Sequence, residues 1–427
     1  MKYPKVLVSS IDVWNTESGS DTFTNLLSGY DSEKIANIYF RSGIPTSEVA
    51  NSYFFISENA VIKSIFRKDI TTGWKTFRSG NEKDIVHMND CKAAEKKQYS
   101  FFTKHRWVIF LFAREVLWKL GAWKSRELDE FIEEFDPDIL FCPIESYIHF
   151  NRINEYIAHK KNIPIIGYMW DDNYSYMNCS SIGAKIYRFF LRKSVFRILN
   201  NSEKVFVISS KMQKELKTIY GINSEVLTKG ALTFQNSDYN DDIESPIEII
   251  YTGKLVYGRL ETIQGIAEVI KKLNTDGIVI KFKIYSGTVL NSNEIKMLSG
   301  KGVQFCGSVS QKMISSIQRK ADVLLMVEAL AGKHKYDARV SFSTKIVDYL
   351  ASGKCIIAVG PSDIAPVEYL QENDLAIVCS DISELERILL EKLTPSNMKY
   401  YADKCRKFAK KEHNLLTIQA VSYTHLR

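Results

Sequence analysis

Two short stretches in the second half of the chain gather side chains that could act together on an anion. In "YTGKLVYGRLETI" (251–263), Gly253 follows an apolar, β-branched run, and Lys254 and Arg259 come shortly after it. A glycine at such a point lets backbone amides approach a ligand closely. Two cations beside a helix start suit a diphosphate. The same pattern also fits a surface loop with two solvated cations. In "VSFSTKIVDYLASGK" (340–354), Ser341 and Ser343 are helix-capping residue types, and Gly353 is a helix-ending one. A helix from about 344 puts Lys345 in its first turn, where the helix dipole disfavours a cation unless an anion binds there. Asp348 lies one turn on and shares a face with Lys345. It is either an ion-pair partner or a carboxylate that accepts protons from a sugar diol.

These residues need elements to position them. Short apolar runs alternate with helical patterns along the whole chain. "KVLVSSI" (5–11) reads as a first buried strand, and "SRELDEFIEEFDPDILFCPIES" as a helix, an Asp-Pro break and a strand. After 246 the rhythm resumes with "PIEIIYTGKL", "IVIKFKIYSG", "VQFCGS", "ADVLLMV" and "KCIIAVG", separated by helical segments. Buried strands bounded by helices predict parallel sheets. The polar stretch 233–246 reads as a linker. The expected division is a Rossmann-like domain over 1–232, a second over 247–395, and a helix over 396–420 folding back toward the first. Two such α/β halves facing one another form a cleft at the carboxyl ends of their strands. Residues 421–427, "VSYTHLR", lack cap and periodicity and resemble a non-native tail, so they are set aside.

Composition narrows the class. The chain has 427 residues, 45% hydrophobic and 25% charged, which suits two soluble domains. Its seven cysteines (Cys91, Cys142, Cys179, Cys306, Cys355, Cys379, Cys405) show no CxxC and no pairing with histidines. That argues against structural zinc and disulfides and for a reducing compartment. The N-terminus does not read as a signal peptide, and no run is apolar enough to span a membrane. The cytoplasm is the expected location. No GxGxxG follows the first strand and no GxxxxGK[ST] occurs, so neither a dinucleotide fingerprint nor a P-loop is supported.

With these motifs in place, the second half resembles the donor domain of GT-B glycosyltransferases, especially the large retaining family 4 group. That family has a Gly-Arg-Leu…Lys motif after the first strand of this domain. "GKLVYGR" is similar, with Lys254 in place of the arginine and Arg259 in place of the lysine. It also has a Glu-Gly-Phe-Gly…Glu motif. Aligned on "SFS", Val340 stands at the first Glu, Ser341 and Ser343 replace the glycines, and Asp348 replaces the second Glu. Glu328, in the preceding loop, is a candidate for the missing first acid. "STKIVDYLASGK" looks closer to capsule and surface-polysaccharide transferases. The resemblance implies that the 341–344 amides, including Thr344, hold a donor diphosphate and that Asp348 holds a ribose. It also implies that Cys306, Gly307 and Ser308 in "VQFCGSVS" line a base pocket. In such proteins the loop after the first strand faces the cleft, which makes Asn15, Gly19 and Ser20 acceptor-side or phosphate candidates. An ordinary turn is the other reading.

The acceptor side has its own carboxylates. "PIIGYMWDDNYSY" (164–176) ends a predicted strand in Trp170, Asp171 and Asp172. A carboxylate there can act as general base on an acceptor hydroxyl or bind hydroxyls only, and the other reading is helix capping by Asp172 or Asn173. Glu145 is a second candidate base. Paired acids also occur in glycosidases, but the donor-side pattern argues against that. The resemblance implies no metal, and no DxD sits at a matching strand end. "GAKIYRFFLRKSVFRIL" (183–199) has five basic residues and no acid. As a helix it is expected to show Lys185, Arg188 and Arg192 on one face, with Ile186, Phe189, Phe190 and Phe196 elsewhere. Residues 60–126 add 15 basic against 6 acidic side chains, with Trp74, Trp107, Trp118 and Trp123. This suggests peripheral contact with an anionic membrane, or a core helix with a solvated basic stripe. No nucleic-acid motif accompanies the charge.

The reading is therefore an α/β GT-B protein with two Rossmann-like parallel-sheet domains facing a central cleft. It transfers a sugar from a UDP- or GDP-sugar, as substrate and with no cofactor, to a glycan or lipid-linked glycan. The proposed catalytic residues are Asp171, Lys254 and Arg259. The alternatives are a nucleotide-sugar epimerase and a non-catalytic binding subunit of the same fold.

Overall fold

The structure is a computed structural model that describes residues 3–16, 22–78, 88, 108–236, 246–277 and 279–425. Gly19, Ser20, Cys91, Trp107 and most of the expected linker lie outside the described residues. The chain forms two compact units, Met1–Leu227 with Gln419–Arg427, and Thr228–Ile418.

The first unit is built on β1 (Val6–Ser10), β2 (Ile35–Tyr39), β3 (Ser52–Ile56), β4 (Gly73–Thr76), β5 (Ile139–Pro143), β6 (Ile165–Met169), β7 (Ser202–Val207) and β8 (Glu225–Val226). Their order in the sheet is β4-β3-β2-β1-β5-β6-β7-β8. All neighbours are parallel except β3 and β4. Every residue of β1, β2, β5 and β6 is buried, as expected of strands covered by helices on both faces. The Arg126–Phe135 helix starts at Ser125, whose hydroxyl accepts from Leu128 N–H at 3.1 Å. It stops at Asp136 in the left-handed region, just before Pro137.

The second unit contains β9 (Ile247–Thr252), β10 (Ile280–Tyr285), β11 (Val303–Gly307), β12 (Val323–Val327), β13 (Cys355–Val359) and β14 (Ile377–Cys379). They form one parallel sheet in the order β11-β10-β9-β12-β13-β14. Ile249, Phe282, Leu325 and Ile357 from four of these strands belong to one buried cluster. The Pro395–Glu412 helix packs on β13 and on the Lys345–Ala351 helix.

Strand order reverses beside β1 in the first unit and beside β9 in the second. Such switch points open a crevice outside the carboxyl ends of the strands. In each unit the candidate chemistry sits on those ends.

Two boundaries differ from the sequence expectation. Residues 228–232 belong to the second unit, where Ala231 N–H donates to the His413 carbonyl at 2.8 Å and Leu415 N–H to the Ala231 carbonyl at 3.0 Å. Residues 421–425, set aside as tail, continue a helix over Leu415–His425. Tyr423 packs edge-on against Tyr30 and Tyr3, with ring centres 5.1 and 6.4 Å apart. Tyrosine contacts, not a helical repeat, accompany this segment.

Candidate functional site

In the second unit the site is built where β9 and β12 end side by side. β9 delivers Thr252, Gly253 and Lys254. Tyr257 and Gly258 then both adopt positive φ (56° and 75°), turning the chain into the Arg259–Leu273 helix. A side chain at Gly258 would also strike Ala329, so glycine is required there on two grounds.

Lys345, on the first turn of the Lys345–Ala351 helix, reaches back to this loop. Its Nζ donates to the Thr252 carbonyl at 2.9 Å and lies over the Tyr251 ring at 5.6 Å. A Cβ on Gly253 would collide with that amine. Gly253 therefore makes room for Lys345, while its own N–H donates to the Tyr285 carbonyl at 2.9 Å. Sequence reasoning assigned this glycine to ligand approach. The structure shows a packing role for it.

Arg259 opens the neighbouring helix and binds Glu328 through Nε and Nη2, both at 3.0 Å. Glu328 follows β12 and is 6% exposed. The structure thus brings the candidate for the missing acid into the cluster, whereas Val340 is fully buried. Burial, followed by the nearby charges of Arg259 and then Lys254, lowers the Lys345 pKa to about 8 despite Glu328 and Asp348. Burial holds the Glu328 carboxyl above its usual range, and Arg259 opposes this. Three cations and one buried acid thus converge on one loop, an excess of positive charge that an anion would neutralise.

Asp348 is bound by Lys229, at 2.7 and 2.9 Å, and not by Lys345. Lys229 is 9% exposed and was missed by sequence reasoning, because its partner lies far along the chain. Ser341 and Ser343 precede the Lys345–Ala351 helix, and neither is its cap residue. The cap residue is Thr344, in helical conformation without a side-chain bond, and Ile346 N–H goes to the Ser343 carbonyl at 2.9 Å. The helix starts a residue later than the serine pattern predicts. Gly353 ends it with φ 70° as expected, close to the Gln235 and Asn236 carbonyls. Cys306, Gly307 and Ser308 lie at the end of edge strand β11, where Gly307 accepts from Ser286 N–H at 2.9 Å.

In the first unit, Asp12, Glu145 and Asp171 follow the adjacent strands β1, β5 and β6. Asp12 pairs with Arg41 at 2.8 Å. Burial, then the charge of Asp171, raises the Glu145 pKa to about 8. The shift favours the protonated carboxyl of Glu145 near neutral pH, a form able to donate a hydrogen bond. Asp171 is exposed on a well-braced loop. Asn173 Nδ2 donates to the Ile144 carbonyl at 2.6 Å, and Tyr174 hydroxyl to Glu215 at 2.8 Å. The Asp172 carboxylate takes the Ser175 N–H at 2.8 Å and the Ser175 hydroxyl, so it holds a turn and caps no helix, the next helix being capped by Ser181. Asn15 sits partly buried on the loop after β1.

One face prediction is corrected. In the Ile182–Asn201 helix, Arg188 donates to the Asp172 carbonyl at 2.8 Å and Arg192 to the Tyr174 carbonyl. These arginines brace the Asp171 loop, and the outward face carries Ile182, Ile186 and Phe189 with Lys185 and Lys193 among them. A helical wheel gives direction but does not show which loop carbonyls lie beside it. Among the described residues, no group of three or more His, Cys, Asp or Glu side chains could hold a metal ion.

The sequence matches no family model, and no curated protein is significantly similar to it. Solved structures do match its fold. Anabaena HepE in complex with UDP-glucose aligns with TM-score 0.57 at 12% identity, over 99% of both chains. A UDP-forming α,α-trehalose-phosphate synthase from Burkholderia xenovorans, in complex with glucose-6-phosphate, aligns with TM-score 0.60 at 11% identity, also over 99% of both. TarM aligns with TM-score 0.51 at 13% identity, over 70% of this chain and 57% of its own. The fold is GT-B.

Proposed function

We propose that this protein is a glycosyltransferase that moves a sugar from a nucleoside-diphosphate sugar to a hydroxyl of a glycan or lipid-linked glycan in bacterial surface-polysaccharide synthesis. The observation that carries the reading is the convergence of Lys254, Arg259 and Lys345 at the switch point of the second unit, with Lys345 half-buried beside two other cations. A diphosphate supplies the charge that such a cluster lacks. The fold neighbours support it: HepE was solved with UDP-glucose, and the trehalose-phosphate synthase is UDP-forming. UDP- or GDP-sugar is the proposed donor.

In the reaction, the bond from the sugar C1 to the diphosphate oxygen breaks and one from C1 to the acceptor oxygen forms. The acceptor proton passes to a base, for which Asp171 is proposed. Glu145 and Asn15 are proposed to bind acceptor hydroxyls. Negative charge develops on the leaving diphosphate, where the three cations stabilise it without a metal. Asp348 is proposed to take the ribose diol. The 341–344 segment is proposed to hold the diphosphate, and Gly307 and Ser308 the base.

A thermal-shift panel of UDP-, GDP-, ADP- and CMP-sugars tests the donor class, since ligands of the folded state raise the melting temperature. A UDP- or GDP-sugar should stabilise the protein, and stabilisation by none would end the proposal. Lys254→Ala, at an exposed position, should lower turnover by at least about tenfold with unchanged melting. Release of free sugar from a donor without acceptor would favour an epimerase.

A further inference from the structure

We propose that the outward faces of the Val108–Leu120 and Ile182–Asn201 helices form a docking surface for a bilayer containing anionic lipid. On the first helix, Ile109, Val116 and Leu120 fall on one stripe and are 67%, 54% and 64% exposed. On the second, Ile182, Ile186 and Phe189 fall on one stripe and are 79%, 49% and 47% exposed. The helices lie side by side. A Cβ on Gly183 would touch the Val108 side chain at 3.5 Å, and the Phe112 and Phe190 rings meet edge-on at 6.2 Å. The stripes thus join into one apolar face. Single exposed apolar residues are ordinary, but a contiguous face of them marks an interaction site.

Charge decides the occupant. The only acidic residue in either helix is Glu115, and it is buried, with His149 N–H bound at 2.8 Å. Lys119, Lys185 and Lys193 are exposed along the face. Lys193 lies over the Phe189 ring at 4.5 Å, an apolar stem with its charge carried outward. A second copy seated on the same face would bring lysines against lysines with no acid to answer them. Anionic headgroups answer the lysines, and acyl chains receive the isoleucines and phenylalanines. Among the described residues, no helix is long and apolar enough to cross a membrane, so the pair would lie in the interface.

This inference does not rest on sugar transfer, and its test needs no enzyme assay. The full chain is sedimented with phosphatidylcholine vesicles, with or without phosphatidylglycerol. It should pellet with the anionic vesicles, release with rising salt, and stay largely free with phosphatidylcholine alone. Ile186→Gln/Phe189→Gln should lower anionic-vesicle binding about tenfold with unchanged melting. Lys185→Glu/Lys193→Glu, which leaves the apolar rows intact, should lower it comparably. No pelleting of the wild type, or pelleting of either variant at the wild-type level, would overturn the proposal. So would a wild-type dimer that Ile186→Gln/Phe189→Gln abolishes while vesicles bind neither protein.

Discussion

Lys345 shows how a residue can be costly to the fold and useful to a site. It stays charged at neutral pH although burial and two neighbouring cations lower its pKa to about 8, from 10.5 in the unfolded chain. Between those two values the unfolded chain binds more protons, so stability from this group rises as pH climbs from about 8 to 10.5. Below pH 8 the penalty for the buried charge is present in full. Lys345→Met, similar in length and apolar, should therefore raise stability at pH 7 by about 1–3 kcal/mol, less whatever the bond to Thr252 contributes. The same change should weaken binding of a nucleoside diphosphate by about tenfold or more, because a charge-assisted contact is lost. Urea unfolding and calorimetric titration with UDP and GDP check the two halves. A variant less stable than wild type, with unchanged nucleotide affinity, would show that Lys345 serves the fold. The sequence made this lysine conspicuous by placing a cation in a first turn. It could not show that Asp348 turns instead to Lys229, because nothing local marks a contact between residues so distant in the chain.

Elements also complete one another across the chain. The Ile148–Lys161 helix begins at Tyr147, which makes no side-chain cap bond. Glu115, from the Val108–Leu120 helix, accepts instead from Ile148 N–H at 3.0 Å and His149 N–H at 2.8 Å. It also meets the His149 ring at 3.0 Å and the Tyr187 hydroxyl at 3.3 Å. One carboxylate thereby ties three helices and favours the positive end of one helix dipole. Glu115→Ala strands two backbone donors in a buried place, while the Tyr187 hydroxyl keeps the Ser146 carbonyl at 3.3 Å, and it should cost about 2–4 kcal/mol by urea unfolding. A cost under about 0.5 kcal/mol, the range of an ordinary surface change, would mean water replaces the cap. Such a cap is invisible in "WVIFLFAREVLWKL", where the glutamate reads as one charge in an apolar helix. The central strands were legible because burial on both faces forces continuous β-branched runs, as in "KVLVSSI" and "ADVLLMV". The four-residue antiparallel edge strand β4 has no such constraint and left no signal. Arg188 and Arg192 were legible as helix residues but not as loop braces, since their acceptors are backbone carbonyls that any sequence supplies.

At the scale of the whole molecule, the chain leaves the first unit after Leu227 and returns to it at Gln419. The polar stretch 233–246 read as the linker, but the division falls earlier, where apolar residues continue and composition gives no cue. In the second unit, His413 fastens the outgoing segment to the returning one. It is 2% exposed, with Nδ1 at 3.1 Å from the Thr228 hydroxyl and Nε2 at 2.6 Å from the Tyr369 hydroxyl. A neutral imidazole needs one donor and one acceptor, and two hydroxyls can supply either. Burial lowers its pKa to about 4, from 6.5 in the unfolded chain. Between those values the unfolded chain binds the extra proton, so this group's contribution is full above about pH 6.5 and is lost as pH falls toward 4. The size is about 3 kcal/mol. Carboxylates with lowered pKa, such as Glu58 and Asp374, lose stability in the same direction, while Glu145 works in the opposite sense. Wild-type acid sensitivity alone therefore isolates nothing. His413→Gln keeps a polar, uncharged side chain and leaves those carboxylates in place. The stability advantage of wild type over this variant should shrink by about 3 kcal/mol between pH 7 and pH 4, measured by urea unfolding at each pH. An advantage that stays constant across that range would mean the imidazole accepts its proton in place, and that the fastening does not depend on a neutral ring.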